Sequence, residues 1–139
     1  MKQILIVDDD STIREFAQHV LRKEGHDVTV AVDGEQALAH LQGGMVPDLI
    51  LTDLHMPKVC GFKLTQTVRS IEATRHVPIV VMSSHNDPKA YSAVFGAGAA
   101  DFLIKPFNRA NLLTSVNNHL KPEYRVTLDS VATVREAHI

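Results

Sequence analysis

Three aspartates in a row, Asp8, Asp9 and Asp10, follow the apolar run Ile4-Leu5-Ile6-Val7, and Asp53 follows a second such run, Leu49-Ile50-Leu51-Thr52. Neighbouring carboxylates repel, and one drawn toward an interior is costly unless a cation answers it. A hard divalent cation held through oxygen fits that need, since magnesium accepts one or two carboxylates together with phosphate oxygens and keeps several waters. Two other apolar runs end in complementary groups: Ser83 and Ser84 after Ile79-Val80-Val81-Met82, and Lys105 after Phe102-Leu103-Ile104. An aspartate beside magnesium is a plausible nucleophile toward phosphorus, giving an aspartyl phosphate. A lysine ammonium and a serine hydroxyl would then hold the phosphoryl oxygens. Taken singly, each residue also has an ordinary reading, with Asp10 favouring a helix start and Lys105 a solvated loop. Together, the four strand ends favour the chemistry.

Those residues need elements to carry them to one place. Lys2 to Val7 reads as a strand, and Ser11 to Lys23 as a helix with Ile13, Phe16, Ala17, Val20 and Leu21 at helical spacing. Thr12 and Glu15 suit a capping box, and Gly25 the far end. Asp27 to Val32 alternates as a second strand, and Asp33 suits the cap of a helix closed by Gly43-Gly44. A third strand ends at Asp53, and a helix follows from Phe62 to Ile71. The fourth strand is Ile79 to Ser83, with a helix from Pro88 to Phe95; the fifth is Asp101 to Ile104, with a helix from Asn108 to Leu120. Alternating strands and helices, with strands that are apolar on both faces, predict an α/β fold: a parallel sheet with helices on both faces, doubly wound. Ligands in such sheets bind beyond the carboxyl ends of the strands, where the acidic, hydroxyl and lysine groups all fall.

With 139 residues and 45% hydrophobic content, the chain suits one domain with a real core. A net charge of −2 without a basic stripe argues against direct nucleic-acid binding, and no apolar segment is long enough for a membrane span. The single cysteine, Cys60, rules out an internal disulfide framework. A protein of a reducing cytoplasm is expected, with a domain over residues 1–120 and a short tail or linker over 121–139.

The motifs Leu5-Ile6-Val7-Asp8-Asp9-Asp10-Ser11, Asp48-Leu49-Ile50-Leu51-Thr52-Asp53-Leu54-His55-Met56-Pro57, Gly61, Pro78-Ile79-Val80-Val81-Met82-Ser83-Ser84 and Asp101-Phe102-Leu103-Ile104-Lys105-Pro106-Phe107 occur in this order. In them the chain resembles the receiver domain of bacterial two-component response regulators, in a stand-alone, chemotaxis-receiver-like form. The resemblance implies a flavodoxin-like sheet of order 2-1-3-4-5 and a phosphorylation-activated switch that catalyses only its own phosphorylation and dephosphorylation. It implies that Asp53 accepts a phosphoryl group from a phosphohistidine on a sensor kinase or histidine phosphotransfer protein. Asp8, Asp9, Asp53 and the backbone carbonyl of His55 would serve magnesium, with manganese able to substitute, and Lys105 would pair with the phosphate. Ser83 and Phe102 would form the switch acting on the face of the fourth helix, fifth strand and fifth helix, toward a downstream protein partner. The Lys105–Pro106 bond would be cis.

Some positions depart from the commonest pattern. Cys60 stands where aspartate is frequent and reads as a small residue tolerated at a helix start. His55 and His85 lie two residues beyond Asp53 and Ser83, at positions whose side chains in the family that the chain resembles flank the path of water to the phosphoryl group; with Ser84 they are expected to tune its lifetime, the histidines with pH. Along the last helix Asn111, Thr114, Ser115, Asn117 and Asn118 are uncharged, where winged-helix regulators usually carry an acidic residue followed by arginines, which makes their dimer mode doubtful. Two alternatives stay open. The chain could pass its phosphoryl group onward in a phosphorelay, or Asp8-x-Asp10-x-Thr12 could serve as the nucleophile motif of a haloacid-dehalogenase-type phosphatase.

Overall fold

The computed structural model describes residues 1–84 and 88–120; His85 and the tail over 121–139 lie outside them. Five parallel strands, β1 (Gln3–Val7), β2 (Asp27–Ala31), β3 (Leu49–Asp53), β4 (Ile79–Ser83) and β5 (Asp101–Ile104), form one sheet in the order β2-β1-β3-β4-β5. Between and after them run the helices α1 (Ser11–Lys23), α2 (Gly34–Gln42), α3 (Gly61–Ser70), α4 (Pro88–Ala97) and α5 (Arg109–Leu120). The expected doubly wound, flavodoxin-like order is the one observed.

The strand sequences dictate a sheet covered on both sides. Ile4, Leu5, Ile6 and Val7 are all fully buried, as are Leu49, Ile50 and Leu51 in β3 and Ile79, Val80, Val81 and Met82 in β4. Alternate residues feed two cores because side chains of a strand point to opposite faces. Leu5, Val7, Ile50, Ile79 and Val81 pack with Ala37, Leu41, Leu64, Val68 and Val94 of α2, α3 and α4. Ile4, Ile6, Leu49, Leu51, Val80 and Met82 pack with Ala17, Val20 and Leu21 of α1 and Leu112, Val116 and Leu120 of α5. Each fully buried branched side chain contributes about 1.5–3 kcal/mol relative to exposure. The central strands β1, β3 and β4 are thereby firmly held, with Asp53 ending β3 and Asp8 and Asp9 following β1 directly.

Local details depart from the sequence reading in small, explicable ways. The cap of α1 is Asp10, whose carboxylate accepts the Thr12 N–H at 2.9 Å, in place of a Thr12–Glu15 box. Asp10 wins because it sits directly before the first helical residue, where an acceptor meets the free N–H groups. Phe16 is 37% exposed, packing at the rim against Phe107 with ring centroids 6.2 Å apart. Helix α3 starts at Gly61 and ends at Ser70, α4 extends to Ala97, and α5 begins at Arg109. Asp33 caps α2 as expected, accepting the Gln36 N–H at 2.7 Å while Gln36 Oε1 accepts the Val32 N–H at 2.8 Å. Among the described residues no helix is long and apolar enough to cross a membrane.

Candidate phosphoryl-accepting and metal site

Strand register brings the acidic residues to one rim. Val7 pairs with Thr52, Asp53 with Met82 and Ser83 with Ile104, so residues just past these positions meet at the carboxyl edge of the sheet. Asp8 is fully buried, Asp53 is 7% exposed and Asp9 faces solvent. One carboxylate oxygen from each lies within 4.8 Å of the others. Lys105, arriving from beyond β5, donates to Asp8 Oδ2 at 2.8 Å and approaches Asp53 Oδ1 at 3.2 Å.

Charge in this cluster does not balance. Burial pushes the Asp53 carboxyl above the usual range, and the negative charge of Asp8, with a smaller part from Asp9, adds to it against the pull of Lys105. Burial acts to lower the Lys105 pKa, but its contacts with Asp8 and Asp53 outweigh that and raise it. Among the described residues, one ammonium is paired with two carboxylates of this three-carboxylate cluster. Three convergent carboxylate oxygens are a hard donor set of the type magnesium accepts, and a dication would supply the missing positive charge.

Asp8 is the more constrained of the buried pair. Its Oδ1 accepts the Asp10 N–H at 2.9 Å and its Oδ2 accepts from Lys105, so both oxygens are engaged. Asp53 ends β3 and leads into a loop that turns back on itself, with the Gly61 N–H donating to Leu54 O at 2.8 Å. A Cβ at Gly61 would stand 2.5 Å from Asp53 O and 2.9 Å from Leu54 Cα, so only glycine allows α3 to start against the residue that β3 presents. That steric role explains a glycine which the sequence showed only as part of a motif.

Ser83 closes β4, fully buried, and its carbonyl accepts the Lys105 N–H at 2.8 Å, tying the fourth and fifth strand ends together. Ser84 is exposed beside it, and His55 is exposed two residues beyond Asp53. His85 falls outside the described residues. Phe102 is half-buried in β5, its ring edge-on to Tyr91 of α4 with centroids 4.0 Å apart. The Lys105–Pro106 peptide bond is cis. Cys60 is the cap residue of α3 and makes no side-chain cap bond.

Two residues at the site escaped the sequence reading. Tyr91 of α4 meets Phe102 of β5, and no local pattern announces that contact. Arg14 donates from Nη1 to the Asp8 carbonyl at 2.7 Å. A cation one turn into the helix that follows an acidic run was the available signal.

The family model described as the response regulator receiver domain matches residues 4–117. The protein PilG of Pseudomonas aeruginosa is 31% identical over 120 residues, covering 85% of this chain and 87% of PilG. The CAI-1 autoinducer sensor kinase/phosphatase CqsS of Vibrio cholerae is 36% identical over 116 residues, but the chain spans only 17% of its length. The transcriptional regulator RpaA of Synechocystis is 36% identical over 126 residues, with 52% of it spanned. Among solved structures, the chemotaxis response regulator CheY4 of Vibrio cholerae superposes with a TM-score of 0.82 at 33% identity, over 86% of this chain and 99% of that one. The receiver domain of the sensor histidine kinase PA1611 from Pseudomonas aeruginosa gives 0.79 at 30% identity, over 86% and 97%, and holds a magnesium ion in its active-site cleft.

Proposed function

Because the chain belongs to the response regulator receiver domain family, and is thus a phosphorylation-activated signalling switch, we propose that it is switched by magnesium-dependent phosphoryl transfer from a partner phosphohistidine to Asp53. The observation that carries this reading is the convergence of Asp8, Asp9 and Asp53 around an oxygen-lined site, with Lys105 ion-paired to Asp8 and Asp53.

Asp53 ends a central strand and retains some solvent access, while Asp8 has none and has both oxygens bonded. Asp53 is accordingly the nucleophile, and the phosphatase reading with Asp8 attacked is disfavoured. An Asp53 carboxylate oxygen bonds to phosphorus as the N–P bond of the phosphohistidine breaks, and the imidazole nitrogen leaves with the electron pair. Asp9, Asp53 and the His55 carbonyl, with Asp8 helping through water, would hold magnesium or manganese, and the ion would supply positive charge to the phosphoryl oxygens. Lys105 gives up part of its bond to Asp53 and turns to the new phosphoryl group. The Ser83 hydroxyl donates to that group, and Phe102 moves into the space left behind, altering the face formed by α4, β5 and α5. Phe95 and Ile104 are exposed on α4 and β5, 46% and 41% respectively, and form part of the surface a downstream protein would read. His55, Ser84 and His85 adjust how readily water reaches the phosphoryl group.

The experiment is labelling of the purified chain with a radioactive phosphoramidate. Incorporation is expected with magnesium or manganese, to be blocked by a chelator, and to vanish in Asp53→Asn. Equal labelling of the wild type in the chelator would sink the metal requirement.

A further inference from the structure

The turn from β1 into α1 is tied by a closed set of hydrogen bonds that leaves one side chain out. The Asp10 N–H donates to Asp8 Oδ1 at 2.9 Å, and the Thr12 N–H to Asp10 Oδ1 at 2.9 Å. The Arg14 N–H donates to Asp10 O at 3.1 Å, while its guanidinium reaches back over the turn to Asp8 O at 2.7 Å. Asp9 takes part in none of these bonds, and its exposed carboxylate belongs to the metal-ligating cluster. Its direction is therefore set by the two peptide groups that flank it. The one after it is pinned through the Asp10 N–H, and the one before it through the Asp8 carbonyl that Arg14 holds.

We propose that Arg14 is a positioning residue for the metal site, fixing the Asp8–Asp9 peptide so that the Asp9 carboxylate points toward Asp8 and Asp53. This rests on the magnesium reading above. Arg14 suits the task because its planar head donates in a fixed fork from a half-buried place on α1, an element anchored to the sheet by Ala17, Val20 and Leu21. Two effects of the residue oppose each other. Its positive charge repels a dication, so deleting the charge alone tightens magnesium binding. Its hydrogen bond orders a ligand, so deleting the bond weakens magnesium binding. The sign of the change shows which effect governs.

The test is direct magnesium titration by calorimetry on the wild type, Arg14→Met and Arg14→Lys, with metal-free thermal unfolding and phosphoramidate labelling alongside. Loss of an outer partner of a metal ligand predicts affinity weakened about tenfold in Arg14→Met, with partial recovery in Arg14→Lys. Labelling at saturating magnesium is expected to return close to the wild-type rate, because the groups that meet phosphorus are intact. Unchanged or tighter binding in Arg14→Met overturns the proposal. So does an equal loss in both variants that tracks a fall in metal-free melting temperature, which would make Arg14 a folding residue only. Failure of the wild type itself to bind magnesium would instead overturn the reading of the site.

Discussion

At the scale of single residues, the excess negative charge around Asp53 has a measurable cost. Its carboxyl is held above the usual range by burial first and by Asp8 second. A carboxyl raised in the fold contributes stability when protonated, and that contribution is lost as pH rises through its folded value. Metal-free Asp53→Asn is therefore expected to melt above the wild type at pH 7, by about 4 °C if roughly 1 kcal/mol is relieved. The gap should close toward pH 3–4, near and below the ordinary aspartate value of about 3.9. Melting curves in a chelator across that range check this, and a gap that widens on acidification would contradict it. Lys105 is the opposite case. Its removal in Lys105→Met leaves Asp8, fully buried, without its cation, which is expected to cost about 3–5 kcal/mol in denaturant unfolding. Added magnesium should recover part of that loss, since a dication can answer the same carboxylate.

At the scale of elements, close backbone approach at the end of β3 decides how Asp53 is presented. Gly61→Ala drives a methyl against Asp53 O and Leu54 Cα, neither of which can move without shifting the strand end. The expected cost is about 1–3 kcal/mol, together with slower labelling of Asp53. Unchanged stability and labelling would mean that the turn yields freely. Most elements were legible in the sequence because strands apolar on both faces admit few arrangements. Ile4-Leu5-Ile6-Val7 and Ile79-Val80-Val81-Met82 had to be buried from two sides, and parallel pairing then put Asp8, Asp53, Ser83 and Lys105 at one rim. What was not legible depends on how elements meet. The exposure of Phe16 and the edge-on contact of Tyr91 with Phe102 follow from tertiary placement. Local spacing carries no trace of it.

At the scale of the whole molecule, metal binding and folding share one free energy. A dication that binds the folded site and not the unfolded chain stabilises by RT ln(1 + [L]/Kd), about 2.7 kcal/mol at a hundredfold excess over Kd. The melting temperature should therefore climb with magnesium in the wild type and climb less in Asp9→Asn, which loses the exposed ligand of the cluster. An identical rise in both would place the ion elsewhere. In the proposed switch the phosphoryl group would turn the charge imbalance into a change of shape: Ser83 ends β4 and its carbonyl accepts the Lys105 N–H just past β5, the strand that carries Phe102.

The most direct measurement is to trap the acyl phosphate by borohydride reduction after phosphoramidate labelling with magnesium, and to map the altered residue by peptide mass. The reduced side chain is predicted at Asp53. A reduced residue at Asp8, or none at either aspartate in a folded, magnesium-bound protein, would contradict the account.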